Sequence, residues 1–404
     1  MILICIVVQK KLVGFAAIVV AVIGSILVTS DFSANQTQTN EEPIKALINY
    51  RAIGELQEDG LAIMDINPNS KTFSEIIQDV PVGKEVRMHH PFYNYDKSKL
   101  YNTSLSGDKL YRISLHQDTV FEINSIDTGS CLVGEDMHFS EDGSKYYLTC
   151  MGSDNVMVFD GNNDEIIGEI KADKQKDPTS FVKYPHGISG NEKIDRLIFT
   201  ETVAPTLDDF GTSVSIVEFS TGRLLSNIEL LQDENLPSAP VEVQFHPTEN
   251  IAYVSGMHDA TIWALIWDDD SKSFQKKLVD DGKTREHGMP LDISFGPGGN
   301  LYVSFAVPGV VNEYSLEEPA QPKLTRTIGA DPGAHHVLFS PDNKYMYVQN
   351  NLLNLDGINS GTISVIDFET GDNITTIDNL TEKGMMIESL DLLIPNSNVK
   401  VTTP

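Results

Sequence analysis

Residues 333–351 read GAHHVLFSPDNKYMYVQNN, and the fold turns on them. An apolar strand ends in Phe339-Ser340, passes the turn Pro341-Asp342-Asn343, and resumes in the aromatic stretch YMYVQ. Related versions are GEDMHFSEDGSKYYLTC (134–150), PVEVQFHPTENIAYVSG (240–256) and MPLDISFGPGGNLYVSF (289–305), with weaker ones at 88–104 and 184–200. Several of the turns carry Asp-Gly, Asp-Asn or Gly-Gly, which supply the left-handed backbone angles of tight hairpins. A third strand follows each hairpin, as at Asn155–Asp160 and Thr362–Asp367, and then a fourth, as at Glu165–Ile170. In VIDFETGDNITTI the third and fourth are joined by a Thr-Gly turn.

The copies recur roughly every 44 to 55 residues, the range of four-stranded propeller blades. Complete units start near residues 86, 131, 182, 238, 288 and 332. Two remnants are left over. Met385–Pro395 is an inner strand without successors, and Ala46–Val82 supplies three strands without an inner one. Joined, they make one more blade and leave no open sheet edge. The expected fold is therefore all-β: a seven-bladed β-propeller over 46–400, closed by N- and C-terminal strands.

The strings HHVLFSPDNKYMYVQN and HFSEDGSKYYLT resemble the YVTN-type propeller repeat of bacterial and archaeal surface proteins. Lactonase-like propellers, the propellers of nitrous oxide reductase and of cytochrome-type nitrite reductase, and the selenium-binding/methanethiol oxidase family share that repeat superfamily. The resemblance spans about residues 46–400 and specifies fold far better than function.

Inner strands line a propeller's central channel, so one slot repeated around the ring converges on the axis. Aligned on the turn, the paired slots hold His89-His90, Glu135-Asp136, His186-Gly187, Val241-Glu242, Leu291-Asp292 and His335-His336. YVTN-type repeats usually place a small residue in the second slot; here only Gly187 keeps that habit. Five of the ten histidines fall in these slots. Imidazoles and carboxylates gathered on an axis suit a divalent transition metal. The expected ligands are His89, His90, Asp136, His186, Glu242, Asp292, His335 and His336, with copper the first expectation and zinc or calcium less favoured. Side chains alternate along a strand, so one ring of each His-His pair is expected to face the channel, unless the strand bulges.

The His-His pairs also resemble those of nitrous oxide reductase, whose propeller holds a copper–sulfide cluster. Here carboxylates stand where that family needs more imidazoles, and the tail is too short for its second copper domain. The selenium-binding/methanethiol oxidase propellers offer a closer parallel, a metal on an exported propeller, although their cysteine motif is absent. Three readings follow: a metal-binding propeller with redox activity on a small molecule, a non-catalytic surface module presenting loops to partner proteins or glycans, and a lactonase-like hydrolase. A solvated polar channel is the bland alternative.

The remaining features concern address and charge. Lys plus Arg total 29 against 58 Asp plus Glu, a net charge of −29 that repels nucleic acid. Residues 1–30 contain an uncharged run, Leu12–Thr29, behind Lys10 and Lys11. That run reads as a signal peptide or as an uncleaved membrane-anchoring helix, and either places the body outside the cell. Residues 31–45 read as a polar linker, and the N-terminal segment is the only expected membrane contact. Asn35, Asn102, Asn373 and Asn379 open N-x-S/T triplets. Cys131 and Cys150 flank one hairpin and are read as a disulfide, ahead of free thiols. His138 and His246 read as core or turn residues, and His116, His258 and His287 as solvated. No nucleophile elbow, P-loop, zinc-protease helix or c-type haem motif is present.

Overall fold

The computed structural model describes residues 41–173, 181–233, 236–353 and 355–394. The hydrophobic segment 1–30 lies outside the described residues, as does residue 31–40 of the expected linker. Among the described residues no helix is long and apolar enough to cross a membrane.

The chain builds seven four-stranded antiparallel sheets. In six of them the strands follow one another in chain order from the inner strand outward. The inner strands of these blades are Met88–Tyr93, Gly134–Phe139, Pro185–Asn191, Pro240–Phe245, Gly288–Phe295 and Ala334–Phe339; they are blades 2 to 7 below. Blade 1 is composite: Met385–Leu392 is its inner strand and pairs antiparallel with Lys45–Ala52, followed by Asp59–Asp65 and Ile76–Gly83. The seventh blade is thus assembled from the two ends of the body, as the leftover strands require.

Residue chemistry explains each layer. Second strands such as Ile251–Gly256 and Tyr345–Asn350 are buried along their whole length, because both faces meet neighbouring blades. Outer strands alternate, as in Lys323–Gly329, since one face meets water. The turns use the residues the pattern names: Asn343 and Gly143 both take left-handed backbone angles, φ 58° and 67°.

Packing between blades closes the ring. Separate apolar clusters sit between each neighbouring pair, from Leu47, Leu61 and Met88 between blades 1 and 2 to Tyr347, Val365 and Ile387 between blades 7 and 1. Between blades 2 and 3, Tyr101 and Tyr146 pack 5.1 Å apart, and Phe159 stacks on Tyr146 at 4.8 Å. Each fully buried apolar side chain of this size contributes about 1.5–3 kcal/mol. Cys131 and Cys150 form a disulfide inside the cluster of blades 2 and 3.

Two surface readings change. Asn102 is fully buried and accepts a hydrogen bond from Asn49 Nδ2 at 2.8 Å, so its N-x-S triplet is closed to glycosylation in the folded chain. His287, expected in solvent, is only 9% exposed, with Nδ1 3.2 Å from Asn312 Nδ2.

Candidate metal centre

The inner strands do not run regularly through the paired slots. In blades 2 to 7 the register against the second strand slips between Met88 and Pro91, Gly134 and Met137, Pro185 and Ile188, Pro240 and Val243, Pro290 and Ile293, and Ala334 and Val337. Two residues therefore face one on the neighbouring strand, a β-bulge at the same place in six blades. In blade 1 the slip falls opposite Asn49/Tyr50, which makes Glu388 and Ser389 its paired residues. The bulge cancels the alternation of a regular strand. The His89 and His90 rings stack with centroids 3.7 Å apart, and those of His335 and His336 at 4.0 Å.

A polar residue on the second strand secures each bulge. Thr103, Thr149, Ser255 and Ser304 accept hydrogen bonds from the N–H of His90, Asp136, Glu242 and Asp292, at 2.9–3.1 Å. Several of these side chains also donate across to the next blade: Thr149 to the His186 carbonyl at 2.6 Å, Thr200 to Val241 at 2.7 Å, and Ser255 to Leu291 at 2.7 Å. Asn49 of the composite blade does the same for the His89 carbonyl at 2.8 Å. His89, His186, Val241 and Leu291 are thereby tied to the preceding blade.

Two groups of donor atoms result. His89, Glu135 and His186 form one; His90, His335 and His336 form the other, and within each group the potential ligand atoms lie within 4.8 Å of one another. Glu135 Oε2 is 3.1 Å from His89 Nε2 and 3.5 Å from His186 Nε2. The His90 ring meets that of His336 edge-on at 4.7 Å. In each of the five histidines a buried ring nitrogen has no hydrogen-bond partner, His89 Nδ1, His90 Nε2, His186 Nδ1, His335 Nδ1 and His336 Nε2, while Glu135 Oε2 meets the Nε2 atoms of His89 and His186. Buried polar atoms normally find partners, because an unpaired one costs about 1–3 kcal/mol. Five unpartnered imidazole nitrogens beside a buried carboxylate have the chemistry of a ligand set for a cation.

Their electrostatics agree. Burial, and then the neighbouring imidazoles, hold His90 and His336 well below the ordinary histidine value, and His335 falls to about 3. His186 is lowered by burial as well. These rings are neutral at physiological pH, the state in which imidazole ligates metals. Burial alone would raise Glu135, but the His186 and His89 imidazoles and the Arg87 guanidinium outweigh it and keep its carboxyl below the ordinary value.

The carboxylates of the second slot stand apart from both groups. Asp136 Oδ2 accepts the N–H of Ile188 at 2.9 Å, and Asp292 Oδ2 that of Val337 at 3.0 Å, so each fastens its blade to the next. Glu242 Oε1 accepts from Val243 N and Gln244 Nε2 at 3.1 and 3.3 Å. Burial raises all three, Asp136 to about 7 and Asp292 to about 6, and burial also lifts Asp391 of blade 1 to about 7. Of the eight expected ligands the structure thus brings the five histidines together and leaves Asp136, Glu242 and Asp292 outside their two groups. It adds Glu135. The available signal for Glu135 was its slot, shared with His89, His186 and His335.

One end of the channel opens into a cavity of about 590 Å³. Its floor includes His89, Glu135, His186 and His335, and its walls include Val241, Leu291, Leu352, Met151, Met257 and Met289.

No family model matches the chain. It is 22% identical over 332 residues to a methanethiol oxidase of Ruegeria pomeroyi, covering 74% of this chain and 75% of that protein. It is 21% identical over 318 residues to a methanethiol oxidase of Hyphomicrobium, covering 74% and 72%. Among solved structures, a hypothetical selenium-binding protein from Sulfolobus tokodaii superposes with TM-score 0.70 at 14% identity, over 91% of this chain and 97% of that one. A periplasmic gluconolactonase from Pseudomonas aeruginosa superposes with TM-score 0.62 at 11% identity, over 87% and 99%. These likenesses agree with the seven-bladed propeller fold; at such identities the solved structures speak for fold alone.

Proposed function

We propose that this chain is an exported propeller enzyme that binds a transition metal on its axis, copper in first place, and oxidises a small thiol in the cavity above it. The observation that carries the reading is the two buried groups of donor atoms from five imidazoles and Glu135, each imidazole with one unpartnered ring nitrogen. Such nitrogen-rich donors fit copper and then zinc, and fit calcium poorly, since calcium takes oxygen ligands.

The thiol comes from the relatives named methanethiol oxidase and from the wall, where three methionines and several aliphatic side chains suit a soft, apolar sulfur compound. Copper, when bound, supplies a Lewis acid for sulfur and a one-electron acceptor. The chain supplies the rest. Glu135, held ionised beside His89 and His186, is placed to take the thiol proton, and the aliphatic walls keep water from the floor. Export is supported by the basic flank and uncharged run of residues 1–30, and by the Cys131–Cys150 disulfide.

The test is elemental analysis of protein made in an exporting host, followed by methanethiol consumption with oxygen uptake. Stoichiometric copper, activity lost on chelation and regained on copper addition is the expected result. Protein that stays metal-free when offered copper, with its fold intact, ends the reading.

A further inference from the structure

The cavity wall carries a charge that the fold does not require and that bears on Glu135 only through space, with no ion pair between them. The residue two positions before the first channel slot has a positive φ in all six blades of continuous chain: Arg87 (50°), Val133 (56°), Tyr184 (49°), Ala239 (47°), Met289 (56°) and Gly333 (93°). This is a structural position, the turn that feeds each inner strand. Five blades fill it with uncharged residues of every size, so the turn does not need a cation. Blade 2 alone has one.

Arg87 is well fixed. Its N–H donates to Asp59 Oδ2 at 2.8 Å, Asp59 Oδ1 accepts from Ala52 N at 2.8 Å, and the Arg87 carbonyl accepts from Leu105 N at 3.0 Å. The guanidinium is not spent on any of these bonds. It lines the cavity, its Nε is buried without a hydrogen-bond partner, and no described carboxylate makes an ion pair with it. Lys283 lines the same cavity and likewise makes no ion pair among the described residues. In a chain of net charge −29, two cations on one cavity with no ion pair among the described residues run against composition. Among the described lining residues Glu135 is the single carboxylate, and it belongs to the floor.

Resting on the thiol reading above, we infer that the cavity binds an amphipathic anion: a small thiol whose far end carries a carboxylate or sulfonate seated on Arg87, with sulfur toward the floor. Arg87 precedes His89 by two residues, at most about 7 Å of chain. Both residues line the same cavity, so one small molecule can meet the guanidinium and the donor groups together. Its apolar part lies against Val241, Leu291 and Met289. A planar guanidinium forms paired hydrogen bonds to either anion, which a point charge does not.

The test uses Arg87→Met, the residue that Met289 already places in the same turn of blade 6, with thermal unfolding to confirm the fold. Binding of propane-1-sulfonate, which has no thiol, is measured by calorimetry on the full metal-loaded chain. Wild type is expected to bind it, and Arg87→Met to bind it at least tenfold more weakly. In parallel, the ratio of kcat/KM for 3-mercaptopropionate over 1-propanethiol is expected to fall at least tenfold in the variant. If neither thiol is oxidised while sulfonate binding still depends on Arg87, the anion seat stands and the thiol reading falls. If wild type does not bind the sulfonate at millimolar concentration, or Arg87→Met changes neither readout, the seat is overturned.

Discussion

The His89 imidazole lies against that of His90, planes 21° from parallel, although the two residues are consecutive on a strand. Regular pleating would send them to opposite faces. The pair can stack only because the strand bulges at that point, and the hydroxyls and amides of the second strands hold the bulges. The donor groups are thus a product of backbone geometry, and that geometry depends on residues that touch no ligand.

Thr149 is the sharpest test of this dependence. Its hydroxyl accepts from Asp136 N and donates to the carbonyl of His186 in the next blade. Thr149→Val keeps the shape and leaves both backbone groups buried without that partner, an expected loss of about 1–3 kcal/mol. Urea unfolding of the metal-free protein measures it, and metal affinity is expected to fall with it as His186 loosens. An unchanged midpoint and unchanged affinity would show that the hydroxyls are bystanders.

The histidines themselves separate a ligand set from a structural one. In the metal-free protein, His90→Ala/His336→Ala removes two imidazoles whose Nε2 atoms have no partner. Removing the unpaired nitrogens relieves a penalty that offsets part of the cavity each ring leaves, so the metal-free variant is expected to stay folded. Metal content, measured by elemental analysis, is expected to fall sharply. A variant that unfolds but retains its metal would reverse the assignment.

How much of this was written in the residues follows from the same distinction. Blade number and closure were legible, because Met385–Pro395 and Ala46–Val82 each lack what the other supplies. The paired slots were legible too, since the F-S-P-D turn fixes the alignment. The order of importance within a slot was not. Alignment favours Asp136, which stands where a small residue is usual, over Glu135. A bulge has no residue signature of its own, and it brings Glu135 to the imidazoles while Asp136 turns to the Ile188 N–H. The Thr and Ser of YLTC and YVSG were visible as strand residues, but their partners lie one blade away. Asp391 sits in the composite blade, which no turn aligns with the others.

The disulfide gives an independent prediction. Cys131 and Cys150 are 19 residues apart and buried between blades 2 and 3. Closing a loop of this length is worth about 3 kcal/mol in the unfolded state. Cys131→Ser/Cys150→Ser is expected to lower unfolding stability by about 2–4 kcal/mol, read by urea denaturation. Neither sulfur belongs to the donor groups, so metal stoichiometry in the folded variant is expected to match wild type.

The buried acids set a pH dependence with a definite sign. Burial raises the Asp292 carboxyl from 3.8 to about 6, so the folded chain keeps a proton there that the unfolded chain releases near pH 4. Between those values the folded state binds more protons, and stability falls as pH rises. The loss is complete just above pH 6 and amounts to about 3 kcal/mol, from a shift of about two units at 1.36 kcal/mol each. Asp391 adds a loss of the same sign up to about pH 7; since the charge on Asp292 contributes to its rise, the two do not sum independently. In Asp292→Asn the side-chain oxygen can still accept from Val337 N, and the titration is gone. Urea unfolding of metal-free protein at pH 4.5 and pH 8 is therefore expected to show wild type losing about 2–3 kcal/mol more than the variant between the two. Equal losses would mean that Asp292 ionises freely in the folded chain, and that the channel on its side is wet.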